Sequence, residues 1–332
     1  MKQNNISEDA QNIILTSWRP GTAKQYCVYL KQWQLFTMDN NIDSFHPSVN
    51  NVLDFLTYLF NKKLSYSAIN TARSALSSTV VLSDSSQPNV GNNALISRFL
   101  KGVFNARPPM PRYSTTWDVN VVLRYIRSLA PSDDLPLNVL ASKLASLCLI
   151  VSGQRGQTIH ALDLNHMEKS PDTFTFRISV LLKQSKPGKL AQTVEFKAYL
   201  NDSKLCVYRC LEIYFRKTQL LRGESTKLFV SCIKPYTPVS RSTFSRWVKS
   251  FLADAGIDTS TFKAHSTRAA SSSAALAAST PLDCIMRTAG WQSAKTFATF
   301  YLRPIENDDH YGHNVLSRIA STSDDNTVSV LK

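Results

Sequence analysis

The feature that most constrains the fold is a proline-rich stretch about one third of the way along the chain. Residues 107–113 read Arg-Pro-Pro-Met-Pro-Arg-Tyr. Proline lacks a backbone donor and clashes with the preceding helical turn, so three prolines within four positions exclude a continuous helix. The stretch is therefore predicted to be a stiff, extended linker between two domains.

Helical periodicity dominates the residues before this linker. Apolar side chains recur at the spacing of one buried helix face. Four helices are predicted, over 22–38, 48–62, 65–82 and 94–105. Their short connections favour a small helical bundle spanning residues 16–106. The first 15 residues are polar and are expected to be flexible.

The residues after the linker predict a second domain over 114–305 that is mainly helical with a small antiparallel sheet. Two segments of alternating and β-branched residues, 173–183 and 193–199, flank the turn Ser-Lys-Pro-Gly and predict a hairpin. Helical spacing surrounds this hairpin. The predicted helices span 118–128, 138–151, 204–217, 240–255, 264–278, 281–289 and 295–301.

The charge of the chain indicates a polyanionic partner. The net charge is +14 at pH 7, and Lys and Arg outnumber Asp and Glu by 25 to 13 in residues 114–305. Such a surface attracts nucleic acid through sequence-independent electrostatics, although basic residues also serve solubility alone. If the partner is DNA, Arg107 and Arg112 are candidate contacts; otherwise the linker is only a spacer.

The sequence gives no indication of a metal site, a disulfide framework or a membrane span. The six cysteines include no Cys-x-x-Cys pair and lack zinc-ligand spacing, so they are expected to be reduced. The first ten residues are polar and unlike a secretory signal. No apolar run approaches the roughly 18–20 residues that a membrane span needs. We therefore expect a soluble, intracellular protein without a membrane partner.

Five residues of the second domain are suited to phosphodiester chemistry. His265 and Arg268 lie three apart, so on a helix they share a face and can point at one anion. Arg155 follows an apolar helix, where its guanidinium can clamp a phosphate. Trp291 offers only a donor. Tyr301 offers a phenol whose reference pKa of about 10 requires nearby cations or a base.

The predicted hairpin adds three lysines to this set. Lys186 lies at its tip, from which a flexible ammonium can reach into a groove. Lys183 and Lys189 flank it and are candidate DNA contacts. Each residue named so far also has an ordinary structural interpretation, such as a surface charge or core packing. Their combination carries more information than any single member.

The order of these residues resembles that of the tyrosine recombinase, or phage integrase, family: Arg, Lys, His-x-x-Arg, His or Trp, Tyr. The 23-residue interval from Arg268 to Trp291 matches the family, and the resemblance extends from about residue 20 to residue 305. The turn Gln-Ser-Lys-Pro-Gly resembles the turn around the family's general-acid lysine, which favours Lys186 over Lys183 and Lys189. The segments Phe-Lys-Ala-His-Ser-Thr-Arg-Ala-Ala and Thr-Ala-Gly-Trp look most like recombinases of eukaryotic mobile elements, the Crypton and DIRS-like groups.

This resemblance implies a fold and a reaction. The amino-terminal bundle would be a SAM-like core-binding domain, and residues 114–305 a mixed α/β catalytic domain. Tyr301 would attack DNA to leave a 3′-phosphotyrosine and a free 5′-hydroxyl, with Lys186 as the acid. The groups around the phosphate would be Arg155, His265, Arg268 and Trp291. Because the covalent link stores the bond energy, the reaction would need no metal, ATP or other cofactor.

The resemblance also implies partners and a location. The substrate would be double-stranded DNA, recombined by a homotetramer on paired sites, with a monomer or weak oligomer in the absence of DNA. Nuclear residence would follow from the eukaryotic resemblance. The acidic tail, residues 306–332, carries the apolar trio Val315, Leu316 and Ile319. It is either disordered or docks on a neighbouring protomer, as such tails do in the family.

Two positions depart from the family pattern, and two other functions stay open. Thr158 stands where the family often has an acidic residue, and the interval from Trp291 to Tyr301 is one residue longer than is usual in bacterial and phage members.

One alternative function is that of a domesticated DNA-binding protein that keeps the fold but has lost strand transfer. The other is a relative of type IB topoisomerases that relaxes supercoils as a monomer; the amino-terminal bundle disfavours it.

Overall fold

The structure of the chain is a computed structural model that describes residues 7–110, 113–182, 185, 187–188 and 192–305. The chain divides into an amino-terminal unit, Met1–Arg112, and a carboxy-terminal unit, Tyr113–Lys332. Each unit has its own hydrophobic core. Within the described residues, no helix combines the length and apolar character required to cross a membrane.

The described part of the amino-terminal unit is helical. Its core is built around Trp33 and Phe55, whose rings meet edge to face with centroids 5.2 Å apart. Ser48 and Asn51 form a capping box, in which each side chain bonds to the backbone of the other residue. The helices are α1 (Glu8–Leu15), α2 (Pro20–Asp39), α3 (Val49–Asn61), α4 (Tyr66–Ser77) and α5 (Ala94–Ala106).

Two sequence expectations for this unit need correction. Residues 8–15, expected to be flexible, form α1 because the Ser7 hydroxyl accepts the Ala10 N–H and acidic side chains occupy the first turn. The third predicted helix ends at Ser77 rather than at residue 82. There Ser78 and Thr79 turn their hydroxyls back onto helix carbonyls, which competes with further helix formation.

The carboxy-terminal unit is organised around one central helix, α7. Eleven of its sixteen residues are buried, so neighbouring elements pack on nearly every side. The helices of the described part are α6 (Val119–Ser128), α7 (Leu137–Ser152), α8 (Gly156–His160), α9 (Val207–Thr218), α10 (Arg241–Asp254), α11 (Thr267–Ala277), α12 (Leu282–Thr288) and α13 (Ala294–Phe300). The sequence did not predict α8, because five residues are too few for a helical period.

A small antiparallel sheet packs on these helices. It contains β1 (Met167–Lys169), β2 (Thr173–Arg177) and β3 (Thr193–Lys197), in that order. Phe174 pairs with Phe196 across β2 and β3, and both rings point into the core. The three-residue β1 was not predicted, and β2 ends six residues earlier than expected. The prediction of a mainly helical fold with a small antiparallel sheet is confirmed.

Candidate active site

Arg268 is the most deeply embedded residue of the predicted set. It lies in the first turn of α11 with only 4% of its surface exposed. Its Nη1 donates to the carbonyl of Gly153 at 2.7 Å and to that of Ala289 at 2.8 Å. Nε and Nη2 are buried and lack a partner within the described residues. The chain thus fixes one edge of the guanidinium and leaves the other edge to bind an anion.

The electrostatics of the site favour an anionic ligand at Arg268. Burial, followed by the positive charge of Arg155, lowers the pKa of Arg268 to about 9, against an opposing effect of the Tyr301 phenol. A buried guanidinium without a carboxylate is expensive to keep charged. A phosphate diester between Arg268 and Arg155 would therefore stabilise the charged form of Arg268.

Trp291 contacts both the embedded arginine and the phenol. The Arg268 guanidinium carbon lies 3.7 Å from the centre of the indole, which is 7% exposed. The Tyr301 ring approaches the indole edge to face, with centroids 4.0 Å apart. The indole Nε1–H is buried without a partner in the described part of the chain, so it is a donor available to an oxyanion.

The turn that places Trp291 depends on glycine. Gly290 adopts a φ of +67°, a left-handed conformation that ends α12 and directs the next residue inward. A Cβ at this position would lie 2.7 Å from the side-chain nitrogen of Gln192 and 3.4 Å from that of Gln154. Gln154 holds the same turn by donating to the carbonyl of Thr288 at 2.7 Å.

Arg155 and Tyr301 approach the site from different elements. Arg155 precedes α8, and its guanidinium carbon lies 5.7 Å from the centre of the Trp291 ring. Tyr301 caps the carboxyl end of α13. Its carbonyl accepts the Ser273 hydroxyl at 3.2 Å, which ties the residue to α11. The extra residue between Trp291 and Tyr301 is accommodated without separating the two rings.

His265 occupies a different local structure from the predicted one. The sequence predicted that it shares a helix face with Arg268, but residues Ala264–Ser266 form a 3₁₀ turn and α11 begins only at Thr267. The side chain is exposed. The tighter turn replaces the first helical turn because Ser266 directs both its N–H and its hydroxyl to the carbonyl of Lys263.

The structure brings four of the six predicted catalytic residues to one cleft. Arg155, His265, Arg268 and Tyr301 line a cavity of about 320 Å³, and Trp291 packs against both Arg268 and Tyr301. The sixth residue, Lys186, falls outside the described residues, as do Arg112, Lys183, Lys189 and the tail 306–332. The roles assigned to these residues stay predictions.

Arg107 lies in the amino-terminal unit and makes contacts that the sequence did not predict. Its Nη1 donates to the carbonyl of Leu64 at 2.7 Å and, together with Nη2, to that of Phe60 at 3.3 Å. The guanidinium carbon also lies 4.0 Å from the centre of the Phe60 ring. The Arg107 side chain therefore caps the carboxyl end of α3 by donating to backbone carbonyls there. Contact with DNA stays a prediction for Arg107.

Sequence reasoning missed one cationic residue of the cleft and left one departure open. Arg241 lines the cavity from the first turn of α10, where Ser240 caps the helix. The helix cap could be inferred from the sequence, but among 38 Lys and Arg residues nothing marked this arginine as part of the site.

Thr158, at the position often acidic in the family, is 3% exposed. A carboxylate buried there would need a charged partner, whereas a hydroxyl does not.

Several solved structures have the same fold as this chain. No family model and no curated protein matches the sequence. The Tn1549 transposon integrase in complex with transposon right end DNA matches with a TM-score of 0.56 at 14% identity, over 96% of each chain. A lambda integrase dimer bound to a COC′ core site gives 0.55 at 13%, over 91% of this chain and 95% of that one. The XerH site-specific recombinase bound to difH substrate gives 0.52 at 15%, over 84% and 71%.

These matches establish the architecture of the chain. It has the fold of the tyrosine recombinases and integrases. The likeness spans both units, which agrees with the fold that the sequence resemblance implied. At identities this low the shared fold carries no chemistry by itself, so the assignment of function depends on the residues of the cleft.

Proposed function

We propose that the chain is a DNA-cleaving and DNA-rejoining enzyme of the tyrosine recombinase type. One observation carries this proposal: Tyr301, His265 and two of the three arginines of the cleft, Arg155 and Arg268, come from separate elements and line a single cavity. Phosphodiester cleavage without a metal requires cationic donors, a nucleophile and an acid for the leaving oxygen. The described side chains supply the donors and the nucleophile, and Lys186 is the proposed acid.

The proposed reaction assigns a separate role to each group. Tyr301 attacks the phosphorus, so that the DNA strand breaks with a 3′-phosphotyrosine and a free 5′-hydroxyl. Arg155 and Arg268 bind the non-bridging oxygens, and the Trp291 Nε1–H donates to an oxyanion. Protonation of the leaving 5′-oxygen is assigned to Lys186. Reversal of these steps with a different 5′-hydroxyl rejoins the strands.

Covalent trapping tests the proposal directly. The protein is incubated with a pool of nicked DNA duplexes of randomised sequence, in which cleavage beside the nick releases a short fragment and prevents rejoining. The chelator EDTA is added to one set of reactions and omitted from a parallel set, and products are separated on a denaturing gel. We expect a protein–DNA adduct with the wild type and with the control variant Tyr199→Phe, and no adduct with Tyr301→Phe.

Two results would reject this function. An adduct that persists in Tyr301→Phe would exclude Tyr301 as the nucleophile, and an adduct abolished by EDTA would exclude a metal-independent reaction. Salt-sensitive DNA binding without any adduct would instead support the domesticated DNA-binding protein. Relaxation of supercoiled plasmid by a monomer, without strand exchange, would support the topoisomerase alternative.

The proposed setting of the reaction rests on the resemblance to recombinases of eukaryotic mobile elements. We propose recombination of paired double-stranded sites by a homotetramer in the nucleus. Support for a tetramer comes from a lambda integrase tetramer bound to a Holliday junction, which has the same fold with a TM-score of 0.54 at 15% identity. Mass measurement of the protein alone and with paired duplexes tests the assembly.

A further inference from the structure

The carboxy-terminal unit begins with a short segment, residues 113–117, that contacts the histidine turn of the cleft. The Tyr113 hydroxyl lies 3.3 Å from Nε2 of His265, and the two ring centroids are 5.7 Å apart. The Trp117 Nε1–H donates to the hydroxyl of Ser266 at 2.9 Å, in an environment where the indole is 2% exposed. Two aromatic side chains of one segment therefore hold the turn that carries His265.

The same segment also holds the chain that follows the proposed nucleophile. The N–H of Thr116 donates to the carbonyl of Pro304 at 2.8 Å, and Thr116 pairs with Ile305 in a parallel bridge. Thr116 is 1% exposed, so this contact is shielded from water. Pro304 lies three residues after Tyr301. Residues 113–117 thus connect the histidine turn and the tyrosine segment, which are more than 30 residues apart in sequence.

The hydroxyl of Tyr113 is oriented by a second hydrogen bond. Its oxygen accepts the backbone N–H of Lys263 at 3.4 Å, and its ring packs against Phe262 with centroids 5.5 Å apart. Phe262 is 3% exposed and gives the phenol a fixed support. The phenol can therefore accept from Lys263 and at the same time donate its own proton to its other neighbour, Nε2 of His265.

We propose that Tyr113 is a positioning residue, which donates to Nε2 of His265 and holds the neutral imidazole with its proton on Nδ1. A neutral imidazole has one donor nitrogen and one acceptor nitrogen, and the hydrogen bond at one nitrogen decides the role of the other. With Nε2 accepting from Tyr113, the proton of the neutral ring lies on Nδ1. The relevance to strand transfer rests on the proposed function, whereas the hydrogen bond itself does not.

The tautomer of His265 can be measured without DNA. In water an unconstrained histidine favours the proton on Nε2, so a protein-imposed Nδ1–H form is a distinctive signature. Protein labelled with nitrogen-15 at histidine is examined by NMR at a pH where the ring is neutral, with His265→Gln used to assign the signals. We expect an Nδ1–H tautomer in the wild type and in Tyr199→Phe. Tyr113→Phe keeps the ring against Phe262 but lacks the hydroxyl, and should shift the population toward Nε2–H.

A second measurement connects the tautomer to cleavage. Single-turnover adduct formation on the nicked duplex pool should slow by about 2- to 10-fold in Tyr113→Phe, the effect expected for one lost hydrogen bond. Urea unfolding of both tyrosine variants checks that the fold is intact. A wild-type Nε2–H tautomer, or the same tautomer in Tyr113→Phe as in the wild type, would overturn the positioning role.

The two measurements separate this proposal from the proposed function. If the wild type cleaves DNA, the tautomer shifts and Tyr113→Phe cleaves at the wild-type rate, Tyr113 does not position His265 for the reaction. If no variant, including the wild type, forms an adduct, the recombinase assignment fails. In that case the NMR result still decides whether Tyr113 sets the tautomer.

Discussion

The two units of the chain bury very different side chains. Among the described residues, the amino-terminal unit buries two polar side chains, those of Thr37 and Asn93, whereas the carboxy-terminal unit buries fifteen. The latter include Lys143, Arg222 and Arg268. The first unit is thus a conventional apolar bundle, and the second retains polar groups at the expense of stability.

The difference between the units is concentrated at Arg268. Buried hydroxyls such as that of Ser272 bond to carbonyls of their own helix. Arg222 bonds to the carbonyl of Lys227 at 2.7 Å. Arg268 alone among the three buried cations has two nitrogens without a partner in the described residues, Nε and Nη2. A stability cost at a position that faces a cleft is typical of a functional site.

The largest expected effect tests whether that cost serves catalysis. Arg268→Ala should slow adduct formation by on the order of 100-fold or more, because it removes a donor that acts on the developing charge. Lys186→Ala should also be slow on ordinary DNA, but should recover on DNA with a 5′-bridging sulfur, since a thiolate leaves without an acid. Single-turnover rates on both substrates provide the comparison. Equal recovery of the two variants would show that Lys186 is not the proton donor.

The next effect concerns the apolar unit. Phe55 is fully buried, so Phe55→Ala should lower the free energy of unfolding of the amino-terminal unit by about 3–5 kcal/mol. Leu35→Ala removes a side chain that is 62% exposed and should change it by no more than about 0.5 kcal/mol. Urea unfolding followed by amide exchange in α3 measures both variants. Similar losses from the two substitutions would contradict the assignment of this core.

A smaller effect tests the turn that places Trp291. Gly290→Ala should be destabilised by about 1–2 kcal/mol from the left-handed backbone alone, with an added penalty because its Cβ meets the Gln192 side chain. Gly223→Ala is the matched control, since Gly223 has a φ of +51° and open space around a Cβ. Combining Gly290→Ala with Gln192→Ala should remove only the added penalty. If both glycine variants lose equal stability, the contact with Gln192 is unimportant.

The smallest effect is a pH dependence that belongs to Arg268. Its folded-state pKa is lowered to about 9, so the folded protein releases this proton at a lower pH than the unfolded chain does. Stability contributed by this group therefore rises as the pH rises from about 9 toward the ordinary arginine pKa. Relative to Arg268→Gln, the wild type should gain stability between about pH 8 and about pH 10. Urea unfolding at both values measures the difference; a relative loss would contradict the pKa shift.

The comparison of the units shows where sequence reasoning succeeds. Helix positions followed from periodicity, which is a local property of the sequence. The caps that the structure shows at Ser48 and Ser240 are local as well. The short elements α8 and β1 were not predicted, because each has too few residues to show a helical or strand periodicity. The order of the site residues along the chain could also be recognised from the sequence, because that order does not depend on how the residues are arranged in space.

The sequence alone therefore specifies local elements and the order of the site residues along the chain. It predicted two units, most of their helices, the hairpin and a set of residues whose order resembles one family. Tertiary structure decided how those residues meet. The Arg268 side chain bonds to a carbonyl 115 residues away, and Tyr113 reaches a histidine 152 residues away. Burial, tautomer and pKa arise from contacts between distant segments, and no local pattern encodes which segments those will be.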